Sequence, residues 1–175
     1  VDVGNLITAR DDAGGHSSDV HGYVSGGAKA PPTPLAINSI ERFPFAITSG
    51  SAADVGDINP APTGLSQHAA MSSTTDGFVA SGGQYGSSPS TSVKSFPFAS
   101  STSVTGSASY SPSNFFDVVG ISSTTQGYFV GGHPTSSPSP GLTAIRKFNF
   151  TIPFSVQTDV GDLAAGGFSM AGHQY

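Results

Sequence analysis

Five histidines are the side chains best suited to metal binding or proton transfer in this 175-residue chain. His16 and His173 occupy one position of an internal repeat, where the other two copies carry Met71 and Ile121. Because this position accepts apolar side chains, we expect an inner-strand core histidine there. The remaining three histidines match no ligand spacing such as His-x-x-x-His: His21, His68 and His133. The sequence predicts no metal site and no cofactor.

Aspartate recurs in a second pattern, Asp-Val-Gly. Successive copies of this pattern are separated by about 50 residues or by about twice that distance. The three copies are Asp2-Val3-Gly4, Asp54-Val55-Gly56 and Asp159-Val160-Gly161. Calcium requires about six to eight oxygen ligands from converging carboxylates, and a single aspartate in each copy does not supply them. We expect each of these short side chains to accept a backbone N–H bond at a turn instead.

Hydrolytic and group-transfer chemistry has no recognisable motif in this sequence. Serine is abundant, but no Gly-x-Ser-x-Gly segment places one beside a base. The chain has no cysteine, which excludes thiolate nucleophiles, disulfides and zinc–thiolate sites. Most of the acidic residues fall in turns or repeat positions. The sequence therefore gives little support for the paired carboxylates of a glycosidase. We predict that the chain is not an enzyme.

Composition narrows the class of protein further. Charged residues make up 10% of the chain, whereas about 25% is usual for soluble domains. The 23 glycines and 13 prolines, with many Ser and Thr, favour short strands and tight turns over helices. A net charge of −5 and scattered basic residues argue against a nucleic-acid partner. No segment approaches the roughly 20 apolar residues that span a bilayer, so we expect no membrane insertion.

Three sequence markers recur in a fixed order, and the elements that they mark must position any functional site. A Ser-Ser-x-x-x-Gly-aromatic segment occupies 17–23, 72–78 and 122–128. A Gly-Gly pair follows at 26–27, 82–83 and 131–132. A β-branched-x-x-Phe-x-Phe segment comes last, at 40–45, 93–98 and 145–150. We interpret each copy as four short antiparallel strands, and because one such sheet cannot bury both faces alone, the copies must stack.

The order Gly22-Tyr-Val-Ser-Gly-Gly27, a variable loop, then Ile40-Glu-Arg-Phe43 resembles the kelch repeat. The resemblance implies an all-β fold, a β-propeller of kelch-like four-stranded antiparallel blades with three full repeats plus a strand at each end. Kelch blades usually carry a tryptophan in the outer strand, and this chain departs from that pattern because it has no tryptophan. Galactose-oxidase-like propellers resemble this fold, but their copper centre requires a cysteine. The Ser/Gly-rich style with Phe-Pro-Phe also resembles repeat proteins of tailed-phage virions.

The repeat divides the chain into approximate units of a single repeat domain, 1–175. They are an outer strand at 1–8, blades at 9–60, 61–110 and 111–165, and the inner strand of a further blade at 166–175. Because propellers have about four to eight blades, we expect a segment of a longer protein. Ring closure by several chains, an open repeat stack and a β-solenoid are the alternatives.

Two sets of connections vary among the copies. The entry connections, which lead into a first strand, include 58–68 and 107–117; the central connections, between second and third strands, cover 28–39, 84–92 and 133–144. Alternate connections of an antiparallel blade lie on the same side, and loops on a rigid scaffold commonly carry recognition. The predicted contact residues are Tyr85, Tyr110, Asn114, Phe115, Phe116 and His133. The alternative is that these Pro/Ser-rich loops are solvated spacers.

These observations predict a non-enzymatic structural or adhesive propeller in a larger extracellular assembly. The phage resemblance favours a virion or tail-appendage component, with other subunits of the same assembly as partners, homo-oligomers included. A cell-surface glycan is a further expected partner. The alternative function is a soluble carbohydrate-binding lectin, and a propeller enzyme is a third, weaker hypothesis.

Overall fold

A computed structural model describes residues 2–29, 35–59, 64–80, 82–83, 90–100, 104, 106–109, 115–134, 140–151 and 157–172. Regular structure in these ranges consists of β-strands, without any helix. Within the same ranges, no helical segment of the length and hydrophobicity needed to cross a membrane occurs. The described part of the chain is therefore all-β, as the composition and the repeat predict.

Three four-stranded antiparallel sheets follow one another along the chain. The first contains β1 (Gly14–Ser17), β2 (His21–Ser25), β3 (Ser39–Pro44) and β4 (Ala53–Asp57). The second contains β5 (Ala69–Ser72), β6 (Asp76–Ala80), β7 (Ser92–Pro97) and β8 (Gly106–Ser109). A two-stranded ribbon pairs β9 (Phe115–Phe116) with β12 (His133–Pro134). The third sheet contains β10 (Val119–Ser122), β11 (Gln126–Val130), β13 (Leu142–Asn149) and β14 (Thr158–Gly167).

Pairing between the second and third strands explains two of the sequence markers together. The glycine before each aromatic residue lies opposite the first phenylalanine of Phe-x-Phe: Gly22 with Phe43, Gly77 with Phe96, and Gly127 with Phe148. A Cβ added at Gly22 or at Gly127 would lie 2.5 Å from the opposing ring. The ring therefore covers the bare glycine backbone, an arrangement that stabilises glycine in strands.

Aromatic side chains also join each sheet to the next. The Tyr23 ring of β2 stacks on Phe98 at 4.7 Å, and its hydroxyl donates to the Phe98 carbonyl at 3.2 Å. The Phe78 ring of β6 stacks on Phe150 at 4.2 Å. Equivalent residues of successive copies thus make equivalent contacts, and stacked rings add about 0.5–1.5 kcal/mol beyond their buried area.

The core lies between adjacent sheets and forms two clusters. The cluster between the first and second sheets includes Tyr23, Ile40, Ile58, Val79 and Phe96. The cluster between the second and third sheets includes Met71, Phe78, Phe115, Phe129 and Phe148. Burial between repeats rather than within one repeat is what stacked units require, because a lone sheet leaves both faces in water.

Both ends of the chain differ in detail from the predicted strands. Within 2–8, the described residues contain an isolated parallel bridge between Asn5 and Ser51 rather than a strand. Near the other end, β14 extends to Gly167, and 168–172 contain no strand; residues 173–175 lie outside the described ranges.

In Asp-Val-Gly, the Asp54 carboxylate accepts the N–H of Gly56 at 3.2 Å. This occurs on β4, beside an irregularity in its pairing with β3, rather than at a turn.

Candidate functional site

The entry and central connections meet on one side of the sheets. In the third copy they pair as the ribbon β9–β12, with Phe116 opposite His133. The other copies make the corresponding contact as isolated antiparallel bridges, Asp11 with Ala28 and Ser66 with Gly83. We call this side, which carries both variable sets of connections, the loop side.

Three of the six predicted contact residues lie in the described ranges: Phe115, Phe116 and His133. Phe115 belongs to the core, with the Arg146 guanidinium 4.9 Å from its ring centre, so its ring is buried rather than exposed for contact with a partner. The half-buried ring of Phe116 lies 5.8 Å from the His133 ring. Tyr85, Tyr110 and Asn114 lie outside the described residues.

Around His133 the structure gathers an aromatic and acidic cluster. Phe168, which is 51% exposed, packs edge-on against the His133 ring at 5.6 Å. The His133 Nε2 lies 3.3 Å from the Asp117 carboxylate, and its Nδ1 faces the Pro134 carbonyl at 3.0 Å. A carbonyl requires a donor, so Nδ1 of His133 carries a hydrogen.

A cavity of about 240 Å³ opens beside this cluster. Its lining comprises two consecutive positions from each of four repeat copies: Asp12–Ala13, Gln67–His68, Asp117–Val118 and Ser169–Met170. We call it the mouth cavity. The first residue of each pair has a left-handed backbone, with φ of 50° at Asp12, 55° at Gln67, 52° at Asp117 and 51° at Ser169.

Hydrogen bonds between sheets hold these left-handed residues in place. The Gln67 N–H donates to the Asp12 carbonyl, and the Asp117 N–H donates to the Gln67 carbonyl, both at 3.1 Å. Left-handed backbone costs a residue with a side chain about 1–2 kcal/mol, and such residues concentrate at binding and catalytic sites. The same costly conformation, four times around one cavity, makes the mouth cavity the leading candidate site.

The electrostatics of the mouth cavity are acidic. Partial desolvation, together with the charges of Asp11 and Asp117, raises the pKa of Asp12 above its ordinary value. Among the described lining residues there is no lysine or arginine. In the described ranges, no group of three or more His, Cys, Asp or Glu side chains is arranged to hold a metal ion.

Below the mouth cavity, a buried polar network links the first two sheets. Ser25 lies between two histidines, with its Oγ 2.8 Å from His16 Nε2 and 3.0 Å from His68 Nε2. His16 Nδ1 lies 3.0 Å from the Met71 carbonyl, so it must be the N–H donor. Ser25 therefore donates to His16 and accepts from His68. Burial lowers the pKa of His16 to about 4 and that of His68 to about 3, which keeps both rings neutral.

Sequence reasoning placed His16 in the core but missed this network and the mouth cavity. Ser25 and His68 belong to different copies, and no spacing rule links them. A usable signal does exist for the mouth cavity. Asp12, Gln67, Asp117 and Ser169 each stand four positions before the equivalent sequence positions of the repeat, which carry His16, Met71, Ile121 and His173. Their side chains share no type, so comparing residue identities alone does not reveal them.

Fold and site together define a repetitive all-β protein of stacked antiparallel sheets, with an acidic cavity on its loop side. No protein-family model matches the sequence, and no curated protein matches it. Among solved structures, that of YjhT is similar in fold, with a TM-score of 0.70 and 14% sequence identity. The similarity covers 91% of this chain and 54% of YjhT. The chain thus spans about half the length of that structure.

Proposed function

We propose that this chain is a non-enzymatic structural or adhesive module of a kelch-like propeller, acting through its loop side within a larger extracellular assembly. The observation that carries the proposal is the pairing of β9 with β12, which joins the two variable sets of connections on one side. A sheet scaffold that is repeated in each copy, with loops that vary among the copies gathered on one side, suits recognition of a partner surface.

The kelch-like propeller is supported by the repetition of contacts between sheets. Tyr23 stacks on Phe98 as Phe78 stacks on Phe150. YjhT, which shares the fold over most of this chain, is a kelch-type propeller. The sheets of a propeller pack in this way, each against the next.

The virion or tail-appendage setting is supported by the sequence resemblance described above. Partners in that setting are other subunits of the same assembly, including further copies of this chain, and a cell-surface glycan. Extensive aromatic packing between sheets suits a scaffold that must stay folded outside a cell.

Absence of catalysis is proposed from the environment of Ser25, whose hydroxyl lies between two histidine side chains. Ser25 is 0% exposed and joins buried His16 and His68. A catalytic serine must reach its substrate, and the histidine beside it needs a group that stabilises its charged form. Here His16 faces the neutral carbonyl of Met71 instead, so the network has the character of a structural link.

A lectin-type function is the second candidate, and it is favoured by the cluster around His133. Exposed Phe168 and half-buried Phe116 pack against the His133 ring, and that ring lies 3.3 Å from the Asp117 carboxylate. Sugar rings stack their C–H faces on aromatic rings and donate hydroxyl hydrogens to carboxylates, so this combination suits a carbohydrate.

The test is binding of the whole chain to a glycan array and to host cells, with Phe168→Ala as the loop-side variant. Phe45 provides a matched control, because it is 54% exposed and lies at the opposite end of the strands. We expect Phe168→Ala to reduce binding and Phe45→Ala to leave it unchanged. Equal loss in both variants, or binding by neither wild type nor variants, would overturn the recognition role.

A further inference from the structure

The first sheet carries a second cavity, of about 310 Å³, on the face that points away from the second sheet. Its sheet wall is formed by Val24 of β2 and Phe43 of β3. Val24 points away from the second sheet because its neighbour Tyr23 packs against that sheet, and successive side chains of a strand alternate between faces. The facing wall is formed by residues 3–6, which we call the head segment. We call the space between these walls the first-sheet cavity.

Hydrogen bonds hold the head segment against the first sheet. The Asn5 N–H donates to the Gly50 carbonyl at 3.0 Å, and the Ala52 N–H donates to the Asn5 carbonyl at 2.8 Å. Just beyond the segment, the Ile7 N–H donates to the Glu41 carboxylate at 2.8 Å. Both walls are therefore fixed by the fold, so a binding partner does not have to bear the cost of ordering them.

The repeat shows what such walls enclose elsewhere in the chain. The ring of Tyr23 is buried between the first and second sheets. Its neighbours in that core cluster include Val55, Ile58, Val79, Phe96 and Phe98. The equivalent positions one copy earlier carry Val3, Leu6, Val24, Phe43 and Phe45. The first four of these line the first-sheet cavity, so the cavity has the walls that surround an aromatic ring in the next copy.

Exposure and size agree with this correspondence. Phe96 and Phe98 are buried, whereas Phe45, the equivalent of Phe98, is exposed. An apolar cavity of about 150 Å³ is enough to bind benzene, so the first-sheet cavity is large enough for a phenol ring. The Phe45 carbonyl is the equivalent of the Phe98 carbonyl, which accepts the hydroxyl hydrogen of Tyr23. The site therefore suits tyrosine.

We propose that the first-sheet cavity is a docking site for a tyrosine side chain carried on a β-strand of a different subunit of the assembly. The proposal rests on the structural role proposed above and names the contact. In a second copy of this chain, Tyr128 is the half-buried equivalent of Tyr23, but its sheet already has an outer strand, β14, with Val160 at the position equivalent to Val3. That strand would collide with the head segment. The partner strand must therefore come from a sheet without an outer strand there.

The test is a backbone-amide NMR titration of the whole chain with two probes. One is p-cresol, which reproduces the tyrosine side chain, and the other is the peptide acetyl-His-Gly-Tyr-Val-Ser-Gly-Gly-amide, which reproduces residues 21–27. We expect both to shift the amide signals of Asn5 and Val24. The signal of Val79 should not move, because Tyr23 already packs there. The peptide with Tyr23→Ala should bind at least about tenfold more weakly, since burial of the ring supplies most of the affinity.

A variant of the chain tests the cavity itself. Val24→Phe adds a ring to the sheet wall and copies Phe129, which occupies this position in the third repeat, so the sheet should accommodate it. It should weaken p-cresol binding at least about tenfold by filling the space that the ring needs. Val160→Phe, on the third sheet, is the control and should leave binding unchanged. Equal binding of the two peptides, or full binding by Val24→Phe, would overturn the proposal.

Sedimentation velocity of the chain alone tests the choice of partner. We expect a monomer for wild type and for Val24→Phe. If the wild type forms dimers that Val24→Phe dissociates, the occupant of the first-sheet cavity is a second copy and the assignment to a different subunit is wrong.

The docking site and the loop-side recognition role can fail separately. If the chain binds glycans or cells through Phe168 while neither probe moves the signal of Val24, the recognition role stands and the docking site is wrong. If the probes bind at the first-sheet cavity while the chain binds no glycan and no cell, the docking site stands and the recognition role is wrong.

Discussion

The backbone N–H of Ser17 donates to the side-chain oxygen of Ser72, 3.1 Å away in the neighbouring sheet. One copy further along, the N–H of Ser72 donates to the side-chain oxygen of Ser122 at 2.9 Å. The first serine of each Ser-Ser pair therefore ties one inner strand to the next. The second serine closes the turn, as when Ser73 Oγ accepts the N–H of Asp76 at 3.0 Å.

Ser72→Ala should lower the free energy of unfolding by about 1–2 kcal/mol, because it leaves the Ser17 N–H without an acceptor between two sheets. Chemical denaturation measures the change. Ser49→Ala, at an exposed loop position, is the control and should be within about 0.5 kcal/mol of wild type. Equal values for the two variants would show that the serine link between sheets adds nothing.

Gly77→Ala should destabilise the chain by about 1–3 kcal/mol, since the new methyl group would overlap the Phe96 ring. Gly15→Ala is the matched control, because a Cβ at Gly15 meets no atom within 4 Å. Thermal unfolding of both variants measures the difference. A neutral Gly77→Ala would contradict the role of the phenylalanine ring as a cover for glycine.

Stability should fall as the pH drops from about 6.5 towards 4. His16 and His68 have folded-state pKa values of about 4 and about 3, below the ordinary value of 6.5. As the pH falls, the unfolded chain therefore takes up protons before the folded chain does. Each histidine contributes up to about 1.4 kcal/mol per pH unit to the slope of the free energy of unfolding against pH. Denaturation at a series of pH values measures this slope.

His16→Met, which copies Met71 of the next repeat, should make that slope shallower, and Ser49→Ala, which removes no titratable group, should leave it unchanged. A slope that is the same in wild type and His16→Met would contradict the burial of a neutral His16.

Glu41→Gln should destabilise the chain by about 3–5 kcal/mol, the usual cost of breaking a buried ion pair. Glu41 pairs with Arg10, both side chains are 1% exposed, and Glu41 also accepts the Ile7 N–H at 2.8 Å. Arg10 donates in turn to the Gly26 carbonyl at 2.8 Å. Hydrogen exchange should quicken at Ile7 and near the mouth cavity. Arg42→Met, on the neighbouring half-buried residue, is the control, and similar effects of both variants would contradict the prediction.

The sequence predicted the sheets better than the site. The Phe43 ring covers Gly22 in a fixed strand register, so the repeat keeps both residue types. The pair can therefore be recognised in the sequence. No comparable constraint keeps residue type at Asp12 and Gln67, which share only a backbone conformation. The approach of Ser25 to His68 depends on how two sheets stack, and that geometry is not encoded by any local spacing.

The central claim is that successive copies form equivalent sheets stacked in the same way, and dipolar EPR distances test it most directly. The chain lacks native cysteine, so spin labels can be placed in pairs at the equivalent turn positions Asp19, Thr74 and Thr124. The account predicts the same narrow distance for 19–74 and 74–124, and a longer one for 19–124. Unequal or broad distances for the two adjacent pairs would contradict it.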